Sequence, residues 1–257
     1  MYLEDFNKIV ALSRKKTNLL TNNLRGYFVS AILAGLFVGF GVILSYTVGG
    51  TLNEAGSPFT KIVMGLSFSV ALSLVIFAGA ELFTSNALVM TSGCLGEEIK
   101  FNDLIKIWGV SYFGNFIGSV LIAILYYASG LWRGISGEYM AEYAMNKINV
   151  IPGELFIRGI LCNILVCLAV WCCYRMKDEL GKILMITLCV YVFFTTGFEH
   201  SIANMSLLTI GNLVPYGDVN LIGSLYNLLF VTLGNIVGGV VFVAIPYYII
   251  STNKRAH

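Results

Sequence analysis

Between Tyr27 and Gly49, and again between Leu221 and Ile250, the chain carries no charged side chain. Four further windows, near residues 60–92, 104–129, 156–174 and 182–213, are almost as apolar. A helix needs roughly 20 such residues to cross a bilayer. Composition agrees: 57% of residues are hydrophobic and 12% charged, where soluble chains average about 25% charged. The chain therefore reads as an all-α integral membrane protein with six transmembrane segments. The N-terminus shows no signal-peptide pattern. Six cysteines, at 94, 162, 167, 172, 173 and 189, form neither Cys-x-x-Cys nor a Cys/His cluster, so they read as small buried hydrophobes rather than disulfides or metal ligands.

Two of the windows are too long for one straight span, and each is interrupted. The first holds Gly79-Ala80-Glu81-Leu82-Phe83-Thr84-Ser85-Asn86; the second holds Gly197-Phe198-Glu199-His200-Ser201-Ile202-Ala203-Asn204. A glycine followed by a carboxylate, hydroxyls and an amide is loop and cap chemistry, so helices 2 and 5 are expected to be broken, with Thr84, Ser85 or Asn86 opening the second half of helix 2. The pattern Gly-x-Glu-x-x-x-x-Asn recurs at an offset of 118 residues. Gly114-Asn115-x-x-Gly118 recurs as Gly234-Asn235-x-x-Gly238 at 120, and Arg25-Gly26 matches Arg158-Gly159. These repeats imply a duplication of three spans plus three. Three is odd, so the second copy enters from the other face, as in transporters with inverted repeats and broken helices at the midplane.

The expected organisation is an N-terminal amphipathic segment (1–24) at the membrane surface and one pore domain (25–253). The latter divides into repeat one (25–130), an outer connection (131–154) and repeat two (155–253). With the N-terminus cytoplasmic, twelve lysines and arginines fall on the inner side and four, Lys61, Arg133, Lys147 and Arg158, on the outer. The positive-inside rule then places both termini in the cytoplasm.

Ionisable residues inside spans mark transport pathways. His200 is the first candidate, being the one histidine besides His257 and a group whose free form titrates near neutral pH. Glu81 and Glu199 are expected to cap backbone N–H groups at the breaks, with Gly79 and Gly197 supplying the turns and Asn86 and Asn204 satisfying exposed backbone. Half-helix N-termini at the midplane favour an anion. Arg14-Lys15-Lys16 reads as an anchor to anionic headgroups, with a gating plug under the pore as the sharper alternative.

At these residues the chain resembles the formate/nitrite transporter family of anion channels. The resemblance lies in 79–85, in Gly159-Ile160-Leu161-Cys162-Asn163-Ile164-Leu165-Val166-Cys167-Leu168-Ala169 and in 197–204. Within the family it is greatest to hydrosulfide-conducting members. The resemblance implies an aquaporin-like fold, a homopentamer in the bacterial cytoplasmic (inner) membrane, and one pore per protomer. It implies His200 as the central pore histidine, Asn163 hydrogen-bonding near it, and Thr84 opposite. It also implies an outer apolar constriction of Leu82 and Phe83, an inner one of Phe68, Leu72 and Phe193, and a vestibule lysine at Lys147.

The expected substrate is a small monovalent weak-acid anion, with hydrosulfide ahead of formate and nitrite. His200 would act either as a proton relay or as a neutral hydrogen-bond donor. A proton-coupled formate or nitrite symporter could use the same histidine. An aquaporin-like neutral-solute channel is the third reading, but Thr84-Ser85-Asn86 and Ile202-Ala203-Asn204 stand where such channels carry Asn-Pro-Ala. No cofactor, metal or nucleic-acid partner is expected. With one usable histidine and no nucleophile–base pair, the sequence does not read as an enzyme.

Overall fold

The computed structural model describes residues 2–252, so Lys254, Arg255, His257 and the expected domain end at 253 lie outside the described residues. Eleven α-helices follow one another among the described residues. An N-terminal helix, α1 (Leu3–Asn22), leads into α2 (Leu24–Glu54), α3 (Thr60–Phe77), α4 (Phe83–Leu95) and α5 (Phe101–Ser129). A connecting helix, α6 (Ile135–Ile148), precedes α7 (Pro152–Arg175), α8 (Glu179–Thr195), α9 (Ser201–Leu213), α10 (Leu221–Gly239) and α11 (Ile245–Thr252). A single π turn, Val240–Ala244, joins the last two. Pro246 follows it; proline has no N–H to give the turn before it, and π turns and kinks collect at such places. Five helical stretches are long and apolar enough to cross a membrane: Leu24–Glu54, Thr60–Phe77, Phe101–Ser129, Pro152–Arg175 and Leu221–Ser251. Large apolar side chains such as Phe40, Leu125, Leu188 and Ile222 face outward.

Both interruptions are breaks between helices, at 78–82 and at 196–200. Gly79 (φ +79°) and Gly197 (φ +80°) reverse the chain in the left-handed region, which a side chain disfavours. The second half of the first broken helix begins at Phe83, with Leu82 in the cap position and without a side-chain cap bond of its own. It does not open on Thr84, Ser85 or Asn86, because its first N–H is held from elsewhere: Asn115 Oδ1 on α5 accepts from Phe83 N at 2.9 Å.

That asparagine explains the repeated Gly-Asn-x-x-Gly. Asn115 Nδ2 donates to Ala31 O (2.7 Å) and Glu81 O (2.9 Å). In the second half Asn235 Oδ1 accepts from Ser201 N (2.9 Å), while its Nδ2 donates to Gly159 O (2.8 Å) and Glu199 O (2.9 Å). Each asparagine thus ties a break to the helix beside it. Glu81 N donates to Ser30 O and Glu199 N to Arg158 O, both at 3.2 Å. These bonds correct one sequence match: the counterpart of Arg158-Gly159 is Ser30-Ala31, not Arg25-Gly26, and the shared dipeptide is coincidental. The flanking glycines serve close approach, since a Cβ on Gly118 or Gly238 would run into the carbonyl of Ile32 or Ile160.

The N-terminal segment is helical as expected, and its apolar face packs on the bundle. Phe6 and Ile9 are buried against a cluster that includes Leu88, Met90, Trp171 and Val243. Asp5 pairs with Arg175 (3.1 Å), Arg14 with Glu98 (3.0 Å) and Lys16 with Glu81 (2.5 Å). Two members of Arg14-Lys15-Lys16 thus have carboxylate partners within the protein. An apolar stripe beside basic residues looks the same whether it meets lipid or protein, and here it meets protein.

Candidate functional site

The two breaks face two cavities separated by a dry gap. The first cavity, about 330 Å³, is lined by Lys147, Glu199, Phe68, Phe193 and His200 among others. The second, about 670 Å³, is lined by Lys16, Glu81, Leu72, Val75 and the turn at Gly79-Ala80. Between them Phe68, Leu72, Leu82, Val166, Phe193 and His200 enclose a space of about 10 Å³, no larger than one water requires. The apolar residues expected as constrictions thus do meet at one place, except Phe83. Its ring is buried against Tyr112 (centroids 4.9 Å apart) and Trp108 (6.2 Å) and lines none of these three spaces.

The expected inner group is split. Phe68 and Phe193 face the cavity that holds Lys147, the side expected to be outer, while Leu72 faces the other cavity. The course of the helices explains the split. α8 ends at the 196–200 break beside the Lys147 cavity and brings Phe193 there; α3 starts on that side, with Lys61, and runs to the 78–82 break on the other, so Phe68 faces the first cavity and Leu72 the second.

His200 is 6% exposed and occupies the cap position of α9. Its Nδ1 accepts from Ala203 N at 3.1 Å. Its Nε2 lies 3.1 Å from Thr84 Oγ1, in the second turn-position of the opposing half-helix. The ring of Phe193 covers the imidazole at 6.1 Å between centroids and 16° between planes. The cap bond fixes the chemistry of the ring. A nitrogen that accepts a backbone N–H carries a lone pair, so the ring proton sits on Nε2 and points at Thr84. Leu82, the counterpart of His200 in the first half, makes no such cap.

Asn163 hydrogen-bonds beside His200 rather than to it: its Nδ2 donates to Thr84 O (3.1 Å) and Asn235 O (2.6 Å). It therefore fixes the residue that His200 touches. In the first half Ser119 plays the matching part, its hydroxyl donating to Ile202 O at 3.4 Å. Glu81 and Glu199, expected to cap backbone N–H groups, take lysines instead. The amides of Asn86 and Asn204, expected to satisfy exposed backbone, turn to side chains, Tyr27 and Glu81 for the first and Glu199 and Asn227 for the second. Glu199 Oε2 takes Lys147 Nζ at 2.7 Å and Asn204 Nδ2 at 2.6 Å. Glu81 Oε2 takes Lys16 Nζ at 2.5 Å and Asn86 Nδ2 at 3.4 Å. The braces Asn115 and Asn235 do the capping, which frees the carboxylates to neutralise a lysine in each cavity.

Sequence reasoning missed Lys16 as a cavity residue and gave Asn115 and Asn235 no role. Both were available as signals. Two equivalent buried glutamates each need a cation, and an asparagine repeated inside an apolar span needs partners that only irregular backbone supplies.

The formate/nitrite transporter family description matches residues 3–249. Over 250 residues the chain is 37% identical to the nitrite transporter NirC of Salmonella typhimurium, covering 96% of this chain and 91% of the relative. It is 32% identical to the formate channel FocA of Escherichia coli strain K12, covering 90% and 88%. Among solved structures, an FNT family ion channel superposes with a TM-score of 0.91 at 37% identity, covering 96% of this chain and 98% of that one. A pentameric formate channel with formate bound superposes at 0.78 and 32% identity, covering 88% and 96%. Members of this group are channels and transporters rather than enzymes, and the fold, the paired breaks and the family match agree: the chain belongs to the formate/nitrite transporter family.

Proposed function

We propose that this chain conducts small monovalent weak-acid anions, one path through each protomer of a homopentamer, with His200 as a fixed neutral hydrogen-bond donor. The observation that carries this reading is the double engagement of the imidazole, Nδ1 with Ala203 N and Nε2 with Thr84 Oγ1. An anion in the gap would replace the Thr84 hydroxyl as the acceptor of the Nε2 proton. A relay would require a proton on Nδ1, and that ends a cap bond of the kind that stabilises a helix by about 0.5–2 kcal/mol. The cap therefore favours a donor that keeps its proton over one that passes it on. A proton that crosses with the anion would then travel on the anion itself, as the neutral acid. That form escapes most of the penalty of several kcal/mol that a bare ion meets in so dry a gap.

The charge bias of the loops supports a bacterial cytoplasmic membrane location with both termini inside, which puts the Lys147 cavity outside. Glu81, Glu199, Asn86 and Asn204 act in this reading as the frame at the breaks, and Lys16 and Lys147 as the cations facing each cavity. Hydrosulfide leads by the resemblance read in the sequence. Nitrite and formate are the substrates named for the relatives NirC and FocA, and all three share the charge and size that this geometry suits.

The test is uptake of hydrosulfide, formate and nitrite by proteoliposomes holding the pure protein, with and without His200→Phe. At least one anion should cross in the wild type and lose 90% or more of its flux in the variant, roughly the tenfold that 1.4 kcal/mol of lost hydrogen bonding produces. Undiminished flux in the variant would sink the reading.

A further inference from the structure

The two cavities are alike in their break loops and unlike in their charge. The second is lined by Lys16, Lys182, Glu81 and Glu179, and each cation there has a carboxylate: Lys16 with Glu81 at 2.5 Å, Lys182 with Glu179 at 2.7 Å. The first is lined by Lys61, Lys147, Arg158 and a single carboxylate, Glu199. Lys147 is neutralised by Glu199 at 2.7 Å, and Arg158 by Glu154 at 2.5 Å. Among the described residues Lys61 alone of these eight cavity charges has no ion pair.

We infer that Lys61, rather than Lys147, is the anion-concentrating residue of the pore, and that the two mouths therefore saturate differently. This deepens the reading of the chain as an anion channel and rests on it. Lys61 is exposed and sits in the first turn of α3, next to the start of the helix at Thr60. A cation there opposes the helix macrodipole, so it costs the fold a little instead of supporting it. It also adds to the positive end of that dipole at the cavity rim, where both act on an anion in the same sense. Lys147 cannot do this at long range, because Glu199 cancels its field within one hydrogen bond.

At zero driving force the two directions of a passive pore carry equal flux whatever the charge. Equal flux at equal concentrations also holds the ratio of maximal rate to half-saturating concentration to one value for both directions, so a charge at one mouth lowers the half-saturating concentration from that side and, in compensation, raises the maximal rate toward it. In a water-like dielectric a unit charge changes the local anion concentration about threefold at a distance of about 7 Å.

The experiment uses right-side-out and inside-out membrane vesicles from cells expressing the full chain, with isotopically labelled formate, nitrite or hydrosulfide as probe, whichever the wild type carries. At low ionic strength, Lys61→Gln should raise the half-saturating concentration up to about threefold for uptake from the Lys61 side without changing the maximal rate in that direction, and should lower the maximal rate in the opposite direction, so that flux at low concentration falls by the same factor both ways. Lys61→Arg should restore the wild-type value, and about 1 M inert salt, where the Debye length is about 3 Å, should erase the difference. An unchanged half-saturating concentration in Lys61→Gln would overturn the inference while leaving the channel reading intact. A wild type that carries none of the three anions would overturn that reading and the inference with it.

Discussion

His200 draws its role from two bonds that no single residue type could announce. Its place inside an apolar span was legible, as was the glutamate beside it. Its tautomer was not, because the N–H of Ala203 and the hydroxyl of Thr84 come from two different half-helices, Thr84 lying 116 residues from His200. The same holds for Glu199. As a letter it looked like a cap; in the fold it holds Lys147 and Asn204 together, 4% exposed at its side chain. Removing one member of such a pair leaves a charge with no partner. Lys147→Met should therefore lower stability by about 2–3 kcal/mol, less than the roughly 3–5 of a fully buried pair because vestibule water reaches the lysine. Lys147→Met with Glu199→Gln should recover most of it. Thermal or detergent titration of the purified oligomer measures both, and equal loss in the single and double variants would contradict the pairing.

At the scale of elements, the broken helices were legible because glycine, carboxylate and amide have few other reasons to occur together in an apolar window. The repeat register was less so. Arg25-Gly26 matched Arg158-Gly159 by letter, yet the equivalent carbonyls belong to Ala31 and Gly159. What defines the register is the pair of asparagine braces, and these were visible only as an unexplained repeat. Each brace makes three hydrogen bonds. Asn115→Ala and Asn235→Ala should each cost about 2–3 kcal/mol, since the backbone groups they leave are buried and unpaired. Their effects on transport should differ: Asn235 holds the start of α9, whose cap is His200, so Asn235→Ala should reduce anion flux more than Asn115→Ala. Equal losses of flux would argue that the braces serve the fold alone. The docking of α1 was not legible, because its apolar face fits a lipid surface and the underside of the bundle equally well.

For the whole molecule, the all-α membrane character and the family were carried by the sequence, since hydropathy and long motifs survive without knowledge of contacts. The separation of Phe68 and Phe193 from Leu72 was not. Which side a residue faces depends on the direction in which each break opens, and Phe68, Leu72 and Phe193 carry no mark of it. The duplicated frame provides two cavities, two braces and two lysine–glutamate pairs, while the imidazole at the cap and the uncompensated Lys61 belong to one half each. Function on this account lies in the departures from the repeat.

The central claim is that His200 is held as a neutral donor with its proton on Nε2. Solid-state 15N spectroscopy of histidine-labelled protein in lipid bilayers near neutral pH reads this directly, with His257→Ala removing the second signal. The expected spectrum has an unprotonated Nδ1 and a protonated Nε2 for His200. A protonated Nδ1, whether as the other tautomer or as imidazolium, would contradict it.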